Sequence, residues 1–310
     1  MKRSVWSLVY VGWALSFAGC RPQRADSSIV WIEYDQHPQH TGAVYELDLR
    51  HGGILRGPHP LDDSPGLGIA ASSAGDTFVT TGHQLWRLKS GLREPLRTQT
   101  FTGAGVAFDP GTNMLYWAEH IARGRILRAR WNATTGTLED EQAFATALSQ
   151  PNAFAFGTTA GVKYLYWSTV GDLSGRLVQR QRLTSTGSDA AETVVQVAAG
   201  EGDGGNGVAF DSAHQTLYWI RRGHTDLYAA KLERLPIRDP GRAVSLHGEG
   251  DFIALTPDGA RIYVGLHDVE DPDRDKRIVR VDVRAEAMLV SKPIVRDHRA
   301  HGLLIGVEVP

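Results

Sequence analysis

An all-β ring of small sheets is the fold this 310-residue sequence predicts, and three observations predict it. A unit of apolar strand, polar turn and second apolar strand recurs along the chain. Further strands follow each copy, so that units begin near residues 67, 104, 152, 206 and 251, about 37–54 residues apart. The two chain ends carry complementary fragments of one more unit. Three copies are clear: GVAFDPGTNMLYWAEH from Gly105, AFAFGTTAGVKYLYWSTV from Ala153 and GVAFDSAHQTLYWIRR from Gly207. GIAASSAGDTFVTTGH from Gly68 and FIALTPDGARIYVGLH from Phe252 are weaker. Unbroken apolar runs such as Leu165-Tyr166-Trp167 imply strands covered on both faces.

The remaining elements follow in order. Third strands read LWRL at 85, RILRARW at 125, RLVQRQRL at 176, DLYAAKL at 226 and RIVRVDV at 277. A weaker fourth strand precedes the next copy, as in TVVQVAA at 193. Four strands per repeat at this period are the sequence signature of propeller blades. HGLLIGVEVP from His301 is a first strand with no second, while IVWIEY at 29, GAVYELDL at 42 and GILRG at 53 are later strands with no first. Joined, they complete a sixth blade and remove the exposed edges that an open ring would leave. The expectation is a six-bladed β-propeller over residues 28–310, closed by the C-terminal strand pairing with N-terminal strands. Its Trp and Tyr repeats are expected to fill the spaces between blades.

Residues 1–27 read differently. Lys2 and Arg3 precede an apolar stretch from Val5 to Phe17, then small residues lead to Cys20, the single cysteine of the chain. A basic start, an apolar segment of this length and a small-residue cut site are features of an export signal, too short for a good membrane span. Residues 1–19 are therefore expected to be removed and residues 20–27, polar and unpatterned, to form a tether. With its one cysteine spent there, the mature fold has no disulfide and stands on packing. Losing Lys2 and Arg3 leaves 31 basic against 35 acidic residues, a net charge of −4. That balance argues against nucleic acid as a partner.

Two resemblances add to this reading. Phe17-Ala18-Gly19-Cys20 resembles the lipobox of bacterial lipoproteins, which implies cleavage before Cys20 and acylation of its thiol (palmitate or a similar chain) and amino group. Several acyl chains anchor a protein stably where one does not. The implied place is the bacterial cell envelope, outside the cytoplasm, with the membrane itself as a partner. Leu-Tyr-Trp at 115–117, 165–167 and 217–219 resembles the YWTD repeat of receptor ectodomain propellers, though only its first letters match. Pro151-Asn152 and Gly205-Asn206-Gly207 are similar to strand starts in the gluconolactonase, regucalcin and paraoxonase group of calcium-dependent propellers. The first resemblance implies binding of a protein, the second hydrolysis of lactones or organophosphates.

Two sets of candidate site residues emerge. Aligned strand starts place Leu67, Ala104, Asn152, Asn206, Asp251 and His301 at equivalent positions by the central channel. Asn152, Asn206 and Asp251 match a calcium-ligand pattern of the paraoxonase-like group, so calcium is the candidate cofactor and they are the candidate metal ligands. The Glu that this group supplies from an earlier blade is missing, with Pro65 or Gly66 in its place and Asp62 and Asp63 just upstream. The alternative is that these amides bond the backbone of the channel wall. The second set is histidine. All but His51 and His214 of the twelve histidines fall on one rim, and His120, His224, His267 and His301 are its candidate ligand-binding residues. Histidine titrates near neutrality and is a common metal ligand. His301 and His120 are also the candidate general bases if the protein is an enzyme. No G-x-S-x-G elbow occurs. The function expected is therefore binding of a protein, glycan or small ligand at the histidine-bearing channel face. A metal-dependent lactonase or phosphoesterase is the alternative.

Overall fold

The computed structural model describes residues 28–33, 43–49, 54–61, 66–89, 92–98, 103–184, 190–198, 204–238, 241–268, 275–284, 287–296 and 300–305. The expected signal segment 1–19 and tether 20–27, with Cys20, lie outside these residues. Every regular element among the described residues is a strand, and no helix there is long and apolar enough to cross a membrane.

Strands β1 (Ser28–Glu33), β2 (Ala43–Asp48) and β3 (Ile54–Pro60) pair in order. The next antiparallel sheet holds β4 (Gly66–Ala71), β5 (Thr77–Thr81), β6 (Gln84–Lys89) and β7 (Leu92–Thr98). It is followed by one of β8 (Gly103–Asp109), β9 (Met114–Glu119), β10 (Ala122–Asn132) and β11 (Thr137–Ser149). Another holds β12 (Pro151–Thr159), β13 (Val162–Thr169), β14 (Arg176–Arg182) and β15 (Glu192–Gln196). The chain continues through β16 (Gly205–Asp211), β17 (Thr216–Arg221), β18 (Asp226–Lys231), β19 (Ile237–Arg238) and β20 (Arg242–Ser245). Here β20 pairs with β18, while β19 crosses back to pair in parallel with β15. The last group is β21 (Glu249–Leu255), β22 (Arg261–His267), β23 (Arg277–Asp282), β24 (Leu289–Val290) and β25 (Val295–Arg296). Finally β26 (Ala300–Ile305) pairs antiparallel with β1, setting Trp31 against Leu303.

The result is a propeller-like arrangement of small sheets. Innermost strands lie side by side, β4 beside β8, β8 beside β12, β12 beside β16 and β16 beside β21; β26 lies beside both β21 and β4. The apolar repeats explain why. A strand apolar on both faces is stable only between two layers, and each sheet here is such a layer. Trp117, Trp167 and Trp219 are fully buried, each opposite a smaller residue of the innermost strand: Val106, Phe154 and Val208. Tyr166 stacks on Phe210 of the adjoining sheet, ring centroids 4.8 Å apart. The Trp and Tyr repeats are thus core, as the sequence implies.

Polar stitching joins sheets as well. Asp76, completely buried, accepts from Arg87 Nε at 2.8 Å and from Trp131 Nε1 of the next sheet at 3.1 Å. Close approach matters too. A Cβ on Gly105 would sit 1.9 Å from the carbonyl oxygen of Asn152, so the innermost strands of two sheets meet at this distance because position 105 has no side chain.

Candidate functional site

Strand starts and second-strand ends share one face. Pairings there are Gly66 with Thr81, Gly103 with Glu119, Pro151 with Thr169, Gly205 with Arg221, Glu249 with His267 and Ala300 with Glu33. Each innermost strand has a register shift just past its start. Such irregularities re-aim side chains and recur near sites.

Counting back from the core pairs fixes the equivalent positions. They are Leu67, Ala104, Asn152, Asn206, Asp251 and His301, as the sequence alignment expects. Ile253 against Val264 corresponds to Val208 against Trp219, and Gly250 against Leu266 to Gly205 against Arg221, so Asp251 lies inside the register shift as the counterpart of Asn206.

Hydrogen bonds link these strand starts from sheet to sheet. Asn152 donates from Nδ2 to the carbonyl of Asn206 at 3.2 Å, and Asn206 donates from Nδ2 to the carbonyl of Gly250 at 3.0 Å. Each amide therefore grips the innermost strand one sheet onward, Asn152 at its own equivalent position and Asn206 at the residue before it. Ser168 adds a bond from Oγ to the carbonyl of Asn206 at 3.1 Å. Short amide side chains at strand starts take up backbone groups that the ladder leaves free.

Asp251 turns to a different partner. Its carboxylate lies 3.3 Å from His267 Nε2, with both side chains nearly inaccessible, 5% and 3% exposed. His267 Nδ1 is 2.6 Å from the carbonyl oxygen of Asp268. Both ring nitrogens thus face oxygens that accept, an arrangement matched by the protonated ring. Among the described residues no cluster of three or more His, Cys, Asp or Glu could hold a metal ion. Asp62 and Asp63 lie outside the described residues.

His120 is the chemically distinctive member of the rim. Its Nδ1 is 3.1 Å from the carbonyl oxygen of Pro151, so that nitrogen carries the proton and Nε2 keeps its lone pair. Burial holds its pKa below the usual histidine value and the nearby Arg222 charge adds to this, while the bond to Pro151 opposes both. His224 is half-buried in the loop between β17 and β18, its backbone N bonded to the carbonyl of Arg221 at 3.3 Å. His301 sits where β26 skips a partner in its pairing with β1, and its side chain lies outside the described residues.

Acidic groups of the rim are engaged with neighbours. Arg125 donates to both oxygens of Glu119 at 2.7 Å. Asp172 accepts from Arg176 at 2.7 Å, and Glu249 accepts from the Gly223 amide at 2.8 Å. The Glu119–Arg125 clamp and the Arg222 charge beside His120 escaped the sequence reading, because both depend on loops that double back.

The depressed His120 pKa has a measurable consequence. Folded His120 binds fewer protons than the unfolded chain, whose histidine titrates near 6.5. Stability from this residue is unaffected above that value and falls as pH drops below it. His120→Gln is expected to flatten the loss of unfolding free energy from about pH 6.5 to pH 5. Equal slopes in urea melts of the two proteins would contradict this.

No protein-family profile and no curated sequence matches the chain. Solved structures do, across most of its length. The nidogen/laminin complex contains a similar chain, at TM-score 0.66 and 15% identity, covering 89% of this chain and 97% of that one. TolB from Acinetobacter baumannii matches at TM-score 0.65 and 10% identity, over 89% of this chain and 66% of that one. A gluconolactonase from Xanthomonas campestris matches at TM-score 0.57 and 16% identity, over 77% and 78%. At such identities the likeness carries the fold alone. The chain is an all-β protein of propeller-like architecture.

Proposed function

We propose that this protein is a six-bladed propeller lipoprotein, closed by β26 on β1 and held by acylated Cys20 to a membrane of the bacterial envelope, outside the cytoplasm. Its channel face, bearing His120, His224, His267 and His301, binds a protein, glycan or small ligand. The observation that carries a binding role is the set of engagements at the strand starts. Asn152 and Asn206 spend their amide donors on backbone carbonyls, and Asp251 faces His267 from the equivalent seat. Those three side chains share equivalent seats but are engaged within the protein, which supports a binding role over that of a calcium-dependent hydrolase of lactones or phosphoesters. His120 offers the ligand an unprotonated Nε2 at neutral pH.

The anchor and the site have separate tests. Cys20→Ser is expected to move the protein from the membrane pellet to the soluble fraction and abolish labelling by radioactive palmitate. Unchanged partition would remove the lipoprotein reading. For the site, calorimetric titration of the protein with calcium is expected to give no saturable heat. Stoichiometric calcium binding that Asp251→Asn abolishes would transfer the assignment to the hydrolase.

A further inference from the structure

The far end of the channel holds a concavity, remote from the histidine rim. It opens between the innermost strands β12, β16 and β21 where they run into the turns at 212–215 and 256–260, and encloses about 600 Å³. Small-molecule sites fall in this size range and are apolar with a few placed polar groups. Phe154, Phe156 and Leu255 line it and are only partly covered by protein, and Phe210 adds a further ring. No Lys or Arg lines it, whereas Asp211 and Asp258 do. We propose that this cavity binds a small organic ammonium compound, its apolar body on the phenyl and leucyl floor and its cationic group against Asp258.

The two carboxylates have different roles. Asp211 is nearly buried and occupied, accepting from the Ala213 and His214 amides at 2.9 and 3.1 Å and meeting His214 Nδ1 at 2.7 Å. It shapes the turn. Asp258 is exposed and held by one oxygen alone, Oδ1, which accepts from Thr256 Oγ1 at 2.6 Å and the Ala260 amide at 2.9 Å. Those two bonds hold its pKa below the usual carboxylate value, with smaller help from Arg284 and Arg261, so it is ionised at neutral pH. Of the neighbouring cations, Lys163 lies against Asp109 with its Nζ 5.5 Å from the Phe156 ring centroid, Arg261 lies 3.4 Å from Asp282, and Arg284 adds only a lesser charge effect at Asp258. A phenyl-lined pocket with a fixed carboxylate at its mouth complements a charged amine on an apolar body.

Three probes of one shape test this: 2-phenylethylammonium, 2-phenylethanol and 3-phenylpropionate, titrated into the full-length protein by ligand-observed NMR. The amine is expected to bind about three- to fivefold tighter than the alcohol, the size of one exposed charge contact, and the carboxylate weakest. Asp258→Asn, on an exposed side chain, is expected to bring the amine down to the affinity of the alcohol. Leu255→Arg, which places a cation in the cavity, is expected to abolish amine binding. Its fold is checked by circular dichroism, and Asp258→Asn carries the test alone if that variant misfolds. Equal affinity for amine and alcohol, tighter binding of the carboxylate, no binding of any probe at about 10 mM, or amine binding that survives Leu255→Arg would each overturn the proposal.

Discussion

Truncation after residue 300 is expected to abolish the cooperative thermal transition of this protein. The deletion removes nearly all of β26, which pairs with β1 from Ile29 to Glu33. On β1, Ile29, Val30, Trp31 and Ile32 are completely buried. Burying a large apolar side chain contributes about 1.5–3 kcal/mol, so uncovering two or three of them approaches the whole net stability of a domain, about 5–15 kcal/mol. The cut also frees one backbone edge of β1 and takes away the strand that lies beside both β21 and β4. Circular dichroism melts of intact and truncated protein make the comparison. A peptide of residues 301–310 added in trans is expected to restore part of the transition. A truncated protein with an unchanged melting temperature would show that the ring does not depend on its C-terminal strand.

Asp76→Ala is expected to cost about 3–5 kcal/mol, the usual penalty for removing one member of a buried ion pair. Its carboxylate is fully buried and takes hydrogen bonds from Arg87 Nε, Trp131 Nε1 and Ser72 Oγ, with Lys89 Nζ 3.4 Å away. Removing it leaves the nearly buried Arg87 guanidinium with Glu94 as its remaining ion partner and orphans the Trp131 indole between two sheets. Burial alone would raise the Asp76 pKa, but bonds and charge from Arg87, Trp131 and Lys89 outweigh it and hold the pKa below 3.8. The folded state therefore keeps this proton off more readily than the unfolded chain. Its stabilisation is present above the unfolded carboxylate value and disappears as pH falls through the lowered one. Urea melts at pH 7 measure the cost. The wild-type advantage over Asp76→Ala is expected to shrink below about pH 4, and a constant difference across that range would refute the pairing.

Strand positions were legible in the sequence because each strand is an apolar run between turn residues, a pattern local to about ten residues. The expected starts at 67, 104, 152 and 206 fall one residue inside β4, β8, β12 and β16, and Leu-Tyr-Trp sits on β9, β13 and β17. The site was less legible. The aligned strand starts, Asp251 included, follow from the repeat, but the partner that Asp251 meets, His267, does not. Where Asn152 and Asn206 spend their amides depends on carbonyls supplied from other sheets. The cavity at the far end was invisible for the same reason: β12, β16 and β21 are about 50 residues apart along the chain.

The sequence by itself determined the all-β class, the recurring units and the buried aromatic positions, since these follow from apolar periodicity within each repeat. Tertiary structure alone decided that Asp251 faces His267, that His120 carries its proton on Nδ1, that β19 joins a neighbouring sheet, and that three strands enclose a pocket. Each of these is set by distances between segments far apart in the chain, and such distances are fixed only when the sheets pack.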